Sequence, residues 1–215
     1  MIILFDLDGT LIDSTDAIVS TFHHSYDVYG TKHPTDKEIM ALIGYPLDVM
    51  YRELGIKEDE IWDYVSTYKE EYRKISTLKT ELLECAIDAV QNASEFASLG
   101  IVTTKTGSYS KILMEHFGIM KYFDVLIGRE DVENPKPHKE PILKALESFD
   151  LDSKEIWMIG DTKLDLISAK NAGINSIGVL TGYDEKETLE KYTNVIFSDA
   201  RDAIKYLESR KISHI

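Results

Sequence analysis

A single cysteine, Cys85, stands in the 215-residue chain, so no intramolecular disulfide can form. That points to a reducing compartment, and Cys85, set in an apolar helical pattern, reads as a small core residue. No apolar stretch reaches the length of about 18 residues that a membrane-spanning helix needs. The hydrophobic N-terminus has neither a basic leader nor a small-residue cleavage site, so it does not read as a signal peptide. Positive charge is scarce too: 24 basic residues face 38 acidic ones, for a formal net charge of −14. That deficit argues against nucleic acid or an anionic membrane as the main partner, because both demand a basic footprint. Internal repeats, low-complexity tracts and long linkers are missing as well. What remains, 43% apolar and 29% charged, is an ordinary globular composition. The length fits one large domain or a core with a smaller insert, and the expected location is the cytoplasm.

The chain opens on a strand. Met1-Ile2-Ile3-Leu4-Phe5 is a continuous apolar run, suited to a parallel strand buried on both faces. Further strands are expected at Gly100–Thr104, following a helix that ends at Gly100, and at Asp124–Gly128, Glu155–Gly160 and Ser176–Leu180, with a last edge strand at Asn194–Phe197. Amphipathic helices are expected between them at Ser108–Phe117, Glu140–Phe149, Leu164–Asn171 and Asp199–Arg210. Such alternation implies an α/β fold with a mainly parallel sheet covered on both faces. Residues 14–79 differ. They read as consecutive helices broken near Gly30–Pro34 and Gly44–Pro46, with Ser14 as N-cap. The economical picture is a helical insert after strand one, covering the carboxyl ends of the strands. Phe22, Tyr26, Tyr51, Trp62, Tyr64, Tyr68 and Tyr72 would be its core. The domains are then 1–13 with 80–215, and 14–79.

Four places carry chemistry. The first strand runs into Asp6-Leu7-Asp8-Gly9-Thr10-Leu11. Residues two apart on a strand share a face, and two carboxylates at the mouth of a buried strand call for a divalent cation, a shared proton or a lysine. Thr103-Thr104 ends the second strand with a hydroxyl and backbone N–H groups fit for a phosphate oxygen. In Asn134-Pro135-Lys136-Pro137-His138 two prolines confine Lys136, whose ammonium can neutralise a carboxylate and a phosphate; His138 reads as a loop residue. Another apolar strand ends in Gly160-Asp161-Thr162-Lys163-Leu164-Asp165. Asp161 can join Asp6 and Asp8 around a hard cation, while Asp165 sits where a helix N-terminus favours an acid.

These four segments, in this order, resemble the motifs of the haloacid dehalogenase superfamily on its phosphatase side, most of all the phosphoglycolate-phosphatase-like branch. The motifs are Asp6 to Ser14, Ile101-Val102-Thr103, Lys136-Pro137 and Gly160 to Asp165, and the resemblance covers nearly the whole chain. It implies a Rossmann-like parallel-sheet core with a small α-helical cap inserted after strand 1. It further implies Asp6 as nucleophile, forming an aspartyl-phosphate, and Asp8 as general acid, then base. Asp6, Asp161 and the backbone carbonyl of Asp8 would hold Mg2+, with Asp165 supporting that loop or binding the metal. Thr103, the N–H of Thr104 and Lys136 would bind the phosphoryl group. Two departures stand out: Thr104 occupies a position often taken by Asn, and the helix before the second strand begins Thr80-Glu81-Leu82-Leu83 instead of with Pro-Gly.

The resemblance predicts a Mg2+-dependent phosphatase acting on a small phosphorylated metabolite, monomeric or homodimeric, with no nucleic acid and no membrane as partner. Phosphoglycolate, pyrophosphate, nucleoside monophosphates and sugar phosphates all remain candidate substrates. A dehalogenase would lack Asp8. A sugar phosphomutase of the β-phosphoglucomutase type would carry an arginine where Leu47 stands and valine in place of Thr10. A regulatory binding protein would have lost Asp6 or Asp161.

Overall fold

The computed structural model describes residues 1–152 and 155–212. Two compact units divide the chain: Met1–Ile12 with Leu82–Ile215, and Asp13–Glu81. Strands β1 (Ile2–Phe5) and β2 (Ile12–Asp13) come first. Helices α1 (Thr15–Tyr29), α2 (Asp36–Met40), α3 (Leu47–Glu53) and α4 (Ile61–Ile75) follow. The chain then runs through β3 (Glu81–Leu82), α5 (Ala86–Ser94), β4 (Ser98–Val102), α6 (Gly107–His116), β5 (Val125–Ile127) and α7 (Glu140–Leu146). It ends with β6 (Ile156–Gly160), α8 (Lys163–Ala172), β7 (Asn175–Val179), α9 (Lys186–Leu189), β8 (Ile196–Phe197) and α10 (Ala200–Ile212). The unit junctions fall one or two residues from the expected ones because β2 and β3, which form a two-stranded sheet, each contain one.

In the larger unit six strands pair in the order β5-β4-β1-β6-β7-β8, every pair parallel. Alternate residues of each strand feed two separate cores. Ile3, Phe5, Leu99, Ile101, Trp157 and Ile159 pack with Val90 of α5, Leu113 of α6 and Ile204 of α10. Ile2, Leu4, Val102 and Met158 pack with Ile142 of α7 and Ala169 of α8. A sheet buried on both faces needs apolar residues in every register position, which is why β1 is hydrophobic throughout.

Two expectations for this unit are corrected. The second large strand begins at Ser98, and Gly100 lies inside it instead of ending a helix. A Cβ on Gly100 would stand 2.8 Å from Leu4 and 2.9 Å from Val125, so glycine marks close packing here, not a helix stop. Residues Glu81–Leu82 are strand, and the helix starts only at Ala86, with buried Cys85 at its N-cap position.

The smaller unit is helical around aromatic rings. Phe22 meets Tyr51 at 4.6 Å and Tyr68 at 5.1 Å between centroids, and Tyr26 meets Tyr64 at 5.4 Å. The buried Tyr51 hydroxyl is satisfied by Ser25 at 2.7 Å. Trp62 is the exception to the expected core, being 66% exposed; it adjoins Ile61 on α4, and only the Ile61, Tyr64, Val65, Tyr68, Tyr72 stripe turns inward. Ser14 stands at the N-cap position of α1 but makes no side-chain capping bond.

Candidate active site

Strand β1 ends at Phe5, and the next residue is Asp6, whose N–H donates to the Ile159 carbonyl at 2.9 Å. Phe5 is in register with Ile101 of β4 on one side and Ile159 of β6 on the other. One residue further along, Asp6 therefore lies between the ends of β4 and β6, next to the start of the Thr103 and Asp161 segments. The strand order runs outward in both directions from β1. This is the switch point of an open parallel sheet, the place where such sheets leave a crevice at their carboxyl ends.

Lys136 enters this crevice from the loop before α7, with its side chain almost wholly buried and a cis peptide bond to Pro137. Its ammonium has three donors and three oxygens around it: Asp6 Oδ1 at 2.9 Å, Asp165 Oδ1 at 2.5 Å and the Val102 carbonyl at 3.0 Å. Asp165 Oδ2 accepts from the Thr162 N–H at 3.1 Å and the Thr162 hydroxyl at 2.8 Å, capping α8. Asp161 is fully buried; its Oδ1 accepts from the Thr10 hydroxyl at 2.9 Å and its Oδ2 from the Tyr183 N–H at 3.0 Å.

One ammonium does not balance three buried carboxylates. Burial, then the nearby charge of Asp165, pushes the Asp6 carboxyl up to about 7, against the opposing pull of Lys136. Burial, then Asp165 and Asp6, also holds Asp161 well above the usual carboxylate range. The Lys136 ammonium is pushed down by burial, but Asp165 and Asp6 overcome this and raise its pKa. Asp6 Oδ1 is buried, with the Lys136 ammonium 2.9 Å away. Oxygens of Asp6, Asp161 and Asp165 all lie within 4.8 Å of one another. A hard divalent cation supplies the missing charge and takes such oxygens by preference, so the residues present fit a metal ion. Asp165 is the least available of the three: its Oδ1 holds the Lys136 ammonium and its Oδ2 takes both Thr162 donors, whereas each Asp161 oxygen accepts a single neutral hydrogen bond.

The structure brings Asp6, Lys136, Asp161 and Asp165 together. Asp8 lies three residues past the end of β1, so the two-residue period of a strand does not by itself place its side chain. Its carboxylate faces Lys105 at 3.2 Å, although it is still close enough to help raise Asp6. Thr103 is buried just past β4, and its hydroxyl accepts from the Lys105 N–H at 3.1 Å; Thr104 is half-buried in the same turn. Sequence reasoning missed Lys105, Thr10, Thr162 and Tyr183. Thr10 and Thr162 lie inside the motif segments and Lys105 two residues past one, where their spacing was the available signal; Tyr183 acts through its backbone and left none.

Gly9 holds the turn after Asp8 at φ +81°, a conformation that favours glycine. A Cβ there would stand 2.4 Å from Asp161 Oδ2. Gly9→Ala is therefore expected to cost about 1–3 kcal/mol from backbone strain alone and to displace the Asp161 carboxylate. Urea unfolding checks this, and an unchanged midpoint would contradict the geometry.

A family model described as haloacid dehalogenase-like hydrolase matches residues 3–179. The chain belongs to that family. A protein of Halalkalibacterium halodurans named pyrophosphatase PpaX is 32% identical over 182 residues, 84% of this chain and 83% of that one. The solved haloacid dehalogenase-like family hydrolase of Streptococcus pneumoniae is 29% identical, with TM-score 0.86 over 96% of this chain and 97% of its own. A Lactobacillus plantarum structure described as a phosphoglycolate phosphatase shares the fold at TM-score 0.85 and 24% identity, over 94% and 97% of the two chains. The haloacid dehalogenase-like chain is thus an enzyme, a phosphatase of this family with the parallel-sheet fold expected from its sequence. Among the described residues, no helix is long and apolar enough to cross a membrane.

Proposed function

We propose that this chain is a Mg2+-dependent phosphatase of small phosphate esters, working through an aspartyl-phosphate on Asp6. The observation that carries the reading is Asp6 itself: buried at the switch point, with its carboxylate 2.9 Å from the Lys136 ammonium. Asp6 attacks phosphorus, and the bond from phosphorus to the leaving oxygen breaks while Asp8 gives that oxygen a proton. Asp8 then takes a proton from water, the water oxygen attacks the phosphorus of the aspartyl-phosphate, and Asp6 is released with inorganic phosphate. Lys136 holds Asp6 toward the phosphoryl group and meets part of its charge. The Thr103 hydroxyl and the Thr104 N–H take further phosphoryl oxygens. Asp6, Asp161 and the Asp8 backbone carbonyl would hold Mg2+, which supplies positive charge for the phosphoryl dianion when bound. Asp165, engaged with Thr162 and Lys136, keeps the lysine in place instead of ligating the metal.

Two substrates suit this reading. The sequence resemblance supports 2-phosphoglycolate, and the names of relatives about one-third identical support pyrophosphate. Phosphate release from both, and from p-nitrophenyl phosphate, tests the reading: turnover is expected with Mg2+ and lost on adding EDTA. Turnover that survives EDTA would overturn the metal dependence, and no release from any of the three would overturn the phosphatase.

A further inference from the structure

Lys105 has no part in the chemistry just described, yet its side chain is only 8% exposed and its ammonium lies 3.2 Å from Asp8 Oδ1. It is not the cation that Asp6 and Asp165 share, which is Lys136. Its loop is anchored at both ends. The Lys105 N–H donates to Thr103 Oγ1, the Lys105 carbonyl accepts from the Arg129 N–H at 3.0 Å, and the Glu130 carboxylate accepts from the N–H groups of Gly107 at 2.7 Å and Ser108 at 3.2 Å. Holding an ammonium in so little water costs free energy. It is well placed for one kind of contact. The oxygen that Asp8 protonates must come within about 2.6–3.2 Å of that carboxylate. The atoms attached to it then lie within about 4–6 Å of the Lys105 ammonium, where a negative charge is attracted and a neutral group is not.

We propose that Lys105 is a specificity-determining residue that selects leaving groups bearing their own negative charge. The class covers phosphate leaving pyrophosphate and a carboxylate-bearing alcohol leaving 2-phosphoglycolate, and disfavours neutral alcohols. This rests on the phosphatase reading above and deepens it. The net charge of −14 sharpens the point, since an anion approaching this protein gains little from its general field.

The test compares kcat/KM for 2-phosphoglycolate and 2-hydroxyethyl phosphate, which differ by a carboxylate in place of a hydroxymethyl group, and for pyrophosphate. Native enzyme is set against Lys105→Met and Lys105→Arg. Lys105→Met is expected to lose about 100-fold on the anionic substrates and far less on 2-hydroxyethyl phosphate, with Lys105→Arg restoring most of the loss. A loss confined to pyrophosphate or to phosphoglycolate supports the proposal and says which anion the lysine meets. Equal losses on all three would mean that Lys105 only positions Asp8, and would overturn it, as would an unchanged ratio. Where Lys105→Met fails to fold, product inhibition of the native enzyme decides: glycolate should compete and ethylene glycol should not, and equal inhibition overturns the proposal. If the native enzyme turns over none of the three, the phosphatase reading itself falls; turnover with a ratio indifferent to Lys105 sinks only the specificity.

Discussion

Asp6→Asn should abolish turnover, by about 10^4-fold or more, while leaving the metal-free protein as stable as before or more so. The two effects have one cause. The carboxylate is buried at the end of β1, and burial and its acidic neighbours push its pKa up to about 7. A shift in that direction means the ionised side chain is held at a cost near neutral pH. Asparagine fills nearly the same volume, removes the charge, and leaves Lys136 its contacts with Asp165 and Val102. The same change takes away the nucleophile, since an amide oxygen is a poor attacker on phosphorus, and one oxygen of the metal cluster. Phosphate release with Mg2+ present, and thermal unfolding in EDTA, both at pH 8 on native and variant protein, check both halves. A variant that loses activity and stability together would make Asp6 a structural residue. One that keeps full activity would end the aspartyl-phosphate mechanism.

Much of this site could be read from the sequence because it lies where the chain changes character. An apolar run that fills both faces of a sheet must be followed by residues outside the sheet, and at Asp6, Thr103 and Asp161 those residues are polar. The sheet order brings β4 and β6 to either side of β1, so three segments far apart in sequence meet at one rim. Local pattern could not reveal which oxygen each donor reaches. Asp165 offered the spacing of either a ligand or a helix cap, and only the coordinates show both its oxygens taken. Asp8 was assigned the same face as Asp6 from a period that holds within a strand, but the strand stops at Phe5. Gly100 resembled a helix stop because glycine often is one; here the close approach of Leu4 and Val125 requires it. Trp62 illustrates the reverse error, an aromatic counted as core that lies off the buried stripe of its helix.

Lys136→Met is expected to have the largest effect on stability, about 3–5 kcal/mol, the usual cost of removing one partner from a buried ion pair. Against a total of about 5–15 kcal/mol for a typical protein, such a loss shows clearly in urea unfolding. Methionine occupies much the same space as the lysine stem, so what goes is the ammonium between Asp6 and Asp165. The loss should depend on pH, with a sign fixed by the carboxyls. In the metal-free protein Asp6 keeps its proton up to about pH 7, raised mainly by burial and next by Asp165, while the unfolded chain releases it near 3.8. Between those values the folded state binds more protons, so its stability falls as pH rises. Lys136 opposes that upward shift. Without it Asp6 holds its proton to higher pH, and the decline continues further. Urea midpoints in EDTA should therefore separate native protein from Lys136→Met more at pH 8 than at pH 5.5, where a protonated Asp6 has less need of the ammonium. An equal separation at both values would show that the lysine supports the fold by packing alone.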